Sequence, residues 1–111
     1  MKVCDLIKEL NLKEFTPGTN TKTAISGCFV SDLLSYVIGN AGEGTVWITL
    51  QTHKNIAAVA TLKDLAAIIL IGDHKPDEDT VRQAFDEDLP ILGSRDEAFE
   101  LSGKIYNLLQ K

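Results

Sequence analysis

Gln51, Thr52, His53 and Asn55 place four hydrogen-bonding side chains directly after a β-branched run, Thr45-Val46-Trp47-Ile48-Thr49-Leu50, and directly before an apolar, helix-like stretch. In an open α/β sheet, the carboxyl end of a strand meeting a helix N-terminus is where small polar or anionic ligands are usually held. His53 is the group there whose charge changes near neutrality, so it could donate to an anion, relay a proton or hold a ligand's polar edge. It could equally cap the following helix or face solvent. Neither a nucleophile nor an orienting carboxylate can be assigned beside it, so an enzymatic use of His53 is the least favoured reading and no catalytic residue is expected.

Two further apolar runs end in polar loops of the same kind: Ala66-Ala67-Ile68-Ile69-Leu70-Ile71 in Gly72-Asp73-His74-Lys75, and Leu89-Pro90-Ile91-Leu92 in Gly93-Ser94-Arg95-Asp96. Gly72 and Ser94 join the candidate ligand-binding set on that ground, although capping of the last helix already accounts for Ser94. His53, His74 and Asp73 lack the close HxH or HExxH spacing that fixes two metal ligands on one face, so no metal site is expected. Gly39, Gly42 and Gly44 fit neither GxGxxG nor GxxxxGK and lead into a strand, which reads as a helix stop and a turn. No GxSxG elbow follows a strand. The acidic residues from Asp77 to Asp88 read as a solvated helix and its end, and no cofactor is implied.

The chain has 111 residues and a formal net charge of −5, with its 11 basic residues scattered along the sequence. Nucleic acid is an unfavoured partner, because phosphate-backbone binding needs a basic patch or stripe. Cys4 and Cys28 are far apart and form no CxxC pair, which fits a reducing, cytoplasmic setting, and Cys28 reads as a small buried hydrophobe. No apolar leader region or membrane-length apolar run is visible, so neither export by a signal nor membrane association is expected.

The elements that must position these groups follow from hydrophobic spacing. Val3, Leu6, Ile7 and Leu10 predict a helix over about 2–11, Leu12 to Thr16 a short strand, Pro17 to Asn20 a turn, and Ala24 to Val30 a strand. Ser31 is expected to cap a helix carrying Leu33, Leu34, Val37 and Ile38 on one side. Thr45 to Leu50 is expected as the central strand, residues 55–64 as an apolar helix, and 66–71 as a strand covered on both faces, the three making a parallel βαβ unit. Pro76 fits a helical first turn ahead of Asp77, Glu78 and Asp79, with Val81, Ala84 and Phe85 as a narrow stripe. Leu89 to Leu92 is a short strand whose proline suggests a start or a sheet edge. Ser94 with Glu97 suggests a capping box for the last helix, with Ala98, Leu101, Ile105, Leu108 and Leu109 inward.

The segment Ser26-Gly27-Cys28-Phe29-Val30-Ser31-Asp32-Leu33-Leu34-Ser35, together with 46–53 and 62–69, resembles stand-alone DRTGG-domain proteins nearly end to end. That family is similar in turn to the N-terminal domain of HPr kinase/phosphorylase. The resemblance implies a compact α/β domain with regulatory or ligand-binding duties and no known catalytic set. The Asp-Arg-Thr-Gly-Gly signature itself is absent, the corresponding region reading Thr21-Lys22-Thr23-Ala24-Ile25-Ser26-Gly27. Because the run from Val30 to Ser35 matches the family, Ser31 and Asp32 enter as candidates, with helix capping and a first-turn acid as the structural alternative.

The expectation is therefore one α/β domain over residues 1–111, a mainly parallel or mixed sheet with packed helices. Its expected role is a non-catalytic regulatory or ligand-binding module for a nucleotide or phosphorylated metabolite, at Ser31, Asp32, Gln51, Thr52, His53, Asn55, Gly72 and Ser94. The alternative is an interaction module acting through homodimerisation or by binding a metabolic enzyme.

Overall fold

A computed structural model describes residues 1–111. Along the chain run α1 (Val3–Leu10), β1 (Lys13–Glu14), β2 (Gly27–Val30), α2 (Leu34–Asn40), β3 (Thr45–Thr49), α3 (Asn55–Leu62), β4 (Ala67–Leu70), α4 (Glu78–Asp86), β5 (Ile91–Gly93) and α5 (Ala98–Leu109). The five strands form one sheet in the order β1-β5-β4-β3-β2. β2 to β5 are parallel, and β1 runs antiparallel to β5.

Strand side chains alternate between the two faces, so the register sorts them into two cores. Phe29, Trp47, Ile68 and Ile91 lie in one cross-strand row, and Val30, Ile48, Ile69 and Leu92 in the next. The first row packs beneath α2, α3 and α4 through Val37, Ile56, Ala57, Ala60 and Ala84. The second face is covered by α1 and α5 through Val3, Leu6, Leu101 and Ile105. Because β2, β3, β4 and β5 stand in chain order, crossovers of one hand stack α2, α3 and α4 on one face. After that stack the chain changes face at β5, which leads into α5 on the side that α1 already covers.

This order corrects one expectation, the central place of β3, and decides between a strand start and a sheet edge at Pro90 in favour of the start. β4 is the middle strand, and β3 is its neighbour. β5 is interior, because β1 closes over it with Lys13 opposite Gly93 and Glu14 opposite Leu92. Pro90 sits immediately before β5, and its carbonyl accepts Ile68 N at 3.0 Å. Buried Thr16 completes the join: its Oγ1 accepts Ile91 N at 2.9 Å and donates to Leu89 O at 3.2 Å.

Three helix starts also differ from expectation. Asp32 Oδ1 is held by the end of β3, so the backbone stays extended and α2 begins at Leu34; Ser31 Oγ accepts Leu33 N at 3.1 Å in a local turn instead of capping the helix. Leu33 and Ile38 are consequently exposed, leaving Val37 as the buried residue of α2. Pro76 lies outside α4, because Asp77 N donates to Thr52 O at 3.1 Å and holds the preceding loop against β3. Ser94 Oγ accepts Asp96 N at 3.0 Å, and Glu97, in extended backbone, is the residue from which α5 starts.

Candidate functional site

At the end of β2 and β3, the polar residues bond mainly to one another. Asp32 Oδ1 accepts the Thr49 hydroxyl at 2.8 Å and Leu50 N at 2.9 Å, and Gln51 Nε2 donates to Asp32 O at 3.2 Å. Fully buried Trp47 donates its indole N–H to Ser31 O at 2.8 Å. Ser31, Asp32 and Gln51 thus form a clasp between two strands. Thr52 O accepts both Asp77 N and the Thr80 hydroxyl, the latter at 2.8 Å. His53, exposed on the next turn, has Nδ1 3.1 Å from Asp77 Oδ2, and Asn55 opens α3.

Gly72 and Ser94 stand apart from that corner, in the loops after β4 and β5. Three backbone bonds stitch these loops together: Gly72 N to Asp96 O at 2.9 Å, Asp73 N to Ser94 O at 3.0 Å, and Ser94 N to Leu70 O at 2.9 Å. Gly72 (φ +58°) and Asp73 (φ +60°) both occupy the left-handed region. Glycine suits the first position because an L side chain is strained in left-handed backbone; a Cβ there would stand 2.8 Å from Glu97 Oε2, the end of an exposed side chain that can move aside. His74 Nδ1 lies 2.8 Å from Ile71 O; a carbonyl can only accept, so Nδ1 carries the proton and Nε2 is left for other partners.

A cavity of about 630 Å³ opens at this point, bounded by the loops after β4 and β5, by the segment entering β1 and by α5. Its location has a topological cause. The loop after β4 leads to α4 on one face and the loop after β5 leads to α5 on the other, so the two diverge and leave a crevice between the carboxyl ends of neighbouring strands. No such divergence exists between β2 and β3, or between β3 and β4, whose helices share a face. Of the eight candidates, only Ser94 lines the crevice, and Gly72 precedes the lining residue Asp73; Ser31, Asp32, Gln51, Thr52, His53 and Asn55 line neither this cavity nor the one at the opposite end of the sheet.

The crevice also gathers residues that spacing did not single out. Lys13, Lys75, Arg95 and Lys104 line it with only two carboxylates, Asp73 and Asp96. Lys104 Nζ is 2.7 Å from Asp96 Oδ2, and Arg95 Nε is 4.0 Å from Asp73 Oδ1 between two strongly exposed side chains. The opposite cavity, about 680 Å³ at the amino ends of the strands, is lined by Glu43, Asp64, Glu87 and Asp88 and has no basic residue. The two cavities therefore differ in charge, the one at the amino ends being acidic and the crevice holding four basic side chains against two carboxylates. Neither end gathers three or more His, Cys, Asp or Glu side chains as metal ligands. Cys28 is on β2, away from both; burial pushes its thiol up to about 11, opposed by a backbone hydrogen bond at Phe29.

No family model matches the chain, and no curated protein does. Among solved structures, the chain is similar to the CBS and DRTGG domains of the regulatory region of Clostridium perfringens pyrophosphatase, complexed with that protein's activator, diadenosine tetraphosphate. The TM-score is 0.68 at 14% identity, over 91% of this chain and 44% of that one. The chain thus spans less than half of that neighbour's length, and what the two share is the fold.

Proposed function

We propose that this chain is a non-catalytic regulatory module that binds a small phosphorylated or nucleotide-like ligand at the carboxyl edge of its parallel strands. The observation that carries this reading is the crevice between β4 and β5, at the place where the chain changes face. The likeness to a regulatory region complexed with a dinucleotide activator agrees with it. Together with the run from Val30 to Ser35, it also supports assignment to the stand-alone DRTGG proteins and, through them, a kinship with the N-terminal domain of HPr kinase/phosphorylase. At β3 the structure sets Asp77 beside His53, a carboxylate that the sequence did not assign to it, and the regulatory reading rests on the crevice and not on this exposed pair. A cytoplasmic setting fits the two free cysteines.

A thermal-shift screen of nucleotides and phosphorylated metabolites tests the reading, since a ligand that binds only the folded state raises the melting temperature with concentration. A flat response across the screen would count against it. A parallel incubation with labelled ATP and Mg²⁺ should yield no product.

A second reading, self-association, is favoured by one observation. β2 is an edge strand, and Val30, Leu33, Tyr36, Ile38 and Leu50 near it are exposed. Sedimentation at micromolar concentration should give twice the chain mass if two copies pair there, and a monomer at all concentrations rejects it.

A further inference from the structure

Resting on the ligand-binding reading, we propose that the β4–β5 crevice is a diphosphate site, holding either free pyrophosphate or the diphosphate end of a nucleotide. Lys75 and Arg95 follow the two strands that diverge, Lys13 lies on β1, and Lys104 projects from α5. Four separate elements therefore bring cations to one cavity in a chain whose net charge is −5. The guest that balances such a lining is an anion with more than one negative charge. A single phosphate is small beside a cavity of about 630 Å³, whereas a diphosphate can touch cations on opposing walls.

Three details favour this guest. Only 3 of the 13 lining residues are hydrophobic, so the cavity suits a polar molecule rather than an apolar one. Lys13 and Lys75 take part in none of the three ion pairs of the molecule, and Lys13 Nζ rests 5.1 Å from the centre of the Phe15 ring, a contact easily exchanged for a phosphate oxygen. Asp96 holds Lys104 at 2.7 Å before a ligand arrives, whereas Arg95, 4.0 Å from Asp73 and strongly exposed, is free to turn to a phosphate. The acidic cavity at the other end of the sheet repels the same ligand, so of the two cavities the crevice is the one that suits a polyphosphate.

Calorimetric titration with pyrophosphate, ADP and orthophosphate, at two salt concentrations, tests the assignment. Pyrophosphate or ADP should bind more tightly than orthophosphate, with affinity falling as salt rises. Lys75→Ala and Lys13→Ala should each weaken that binding about tenfold or more, the worth of one charge-assisted hydrogen bond, while His53→Ala leaves it unchanged. All three positions are exposed, and equal melting temperatures in the absence of ligand confirm that the fold is intact. Tighter binding of ADP identifies a nucleotide as the source of the diphosphate, and tighter binding of pyrophosphate identifies the inorganic ion. Binding lost in His53→Ala but kept in Lys75→Ala overturns the crevice assignment and leaves the ligand-binding reading standing. If no phosphorylated compound binds here or shifts the melting temperature, both fall.

Discussion

His53 Nδ1 stands 3.1 Å from Asp77 Oδ2, joining the loop after β3 to the residue from which α4 starts. His53 is 74% exposed and its partner 44%, so the pair is well solvated and contributes little to stability. His53→Ala should change the unfolding free energy of the free protein by less than about 1 kcal/mol. Beneath it, fully buried Thr80 makes the same join through its hydroxyl to Thr52 O at 2.8 Å. Thr80→Val, nearly equal in volume, should cost about 1 kcal/mol or more. Chemical denaturation of the two variants should rank them in that order; the reverse ranking would place the joint at the surface pair.

Thr16 should be among the costlier polar residues to replace. Its hydroxyl accepts Ile91 N, and Pro90 beside it has no N–H to add to the ladder. Thr16→Val leaves a buried N–H without this partner and should destabilise the fold by about 1–3 kcal/mol. Hydrogen exchange should accelerate first at β1 and β5. Unchanged protection at Ile91 would contradict this account of the edge.

Gly72→Ala should destabilise by roughly 1–2 kcal/mol, from left-handed backbone, since exposed Glu97 can swing away from the added Cβ. Gly39→Ala, with no atom near the added carbon and a helical position, is the matched control and should be neutral or stabilising. Equal melting temperatures for the two would show that the β4 loop relaxes freely.

Cys28 makes the fold sensitive to alkali. Its thiol is raised from 9.0 to about 11 in the folded protein, so between those values the unfolded chain has lost a proton that the folded one keeps. The contribution to stability is whole below about pH 9 and disappears as pH rises towards 11. Two pH units correspond to at most about 3 kcal/mol. The difference in stability between the native chain and Cys28→Ala, followed from pH 8 to 11, isolates this effect from lysine deprotonation. At pH 8 a thiol reagent should label exposed Cys4 quickly and Cys28 slowly.

The apolar periods of α1, α3, α5 and β4 were legible in the sequence because each is a local pattern, and the β3–α3–β4 unit followed from them. The far edge was not legible. β1 is only two residues long, and its pairing with β5 joins segments that no local spacing connects. Which face α5 covers is likewise a tertiary choice, and it is this choice that moves the open crevice from the His53 corner to Ser94. Among the strand-end candidates, Asp32 looked available because a carboxylate before a helix resembles a first-turn acid; its use by Thr49 and Leu50 depends on β2 lying beside β3. The cations of the crevice are Lys13, Lys75, Arg95 and Lys104, and nothing in their spacing announces that they meet. One signal was present: Gly72-Asp73-His74-Lys75 and Gly93-Ser94-Arg95-Asp96 both put a basic residue within three positions of a strand-ending glycine.

The pairing of Lys13 with Gly93 also sets an order of events during synthesis. β2, β3 and β4 can align as each leaves the ribosome, since every crossover is local. β1 must wait until β5 exists, and closing so long a loop is entropically costly and slow. One wall of the crevice therefore belongs to an early segment and the other to a late one, so a bound ligand would act as a clamp on the last step of folding, holding the ends of this architecture together after the middle has already formed.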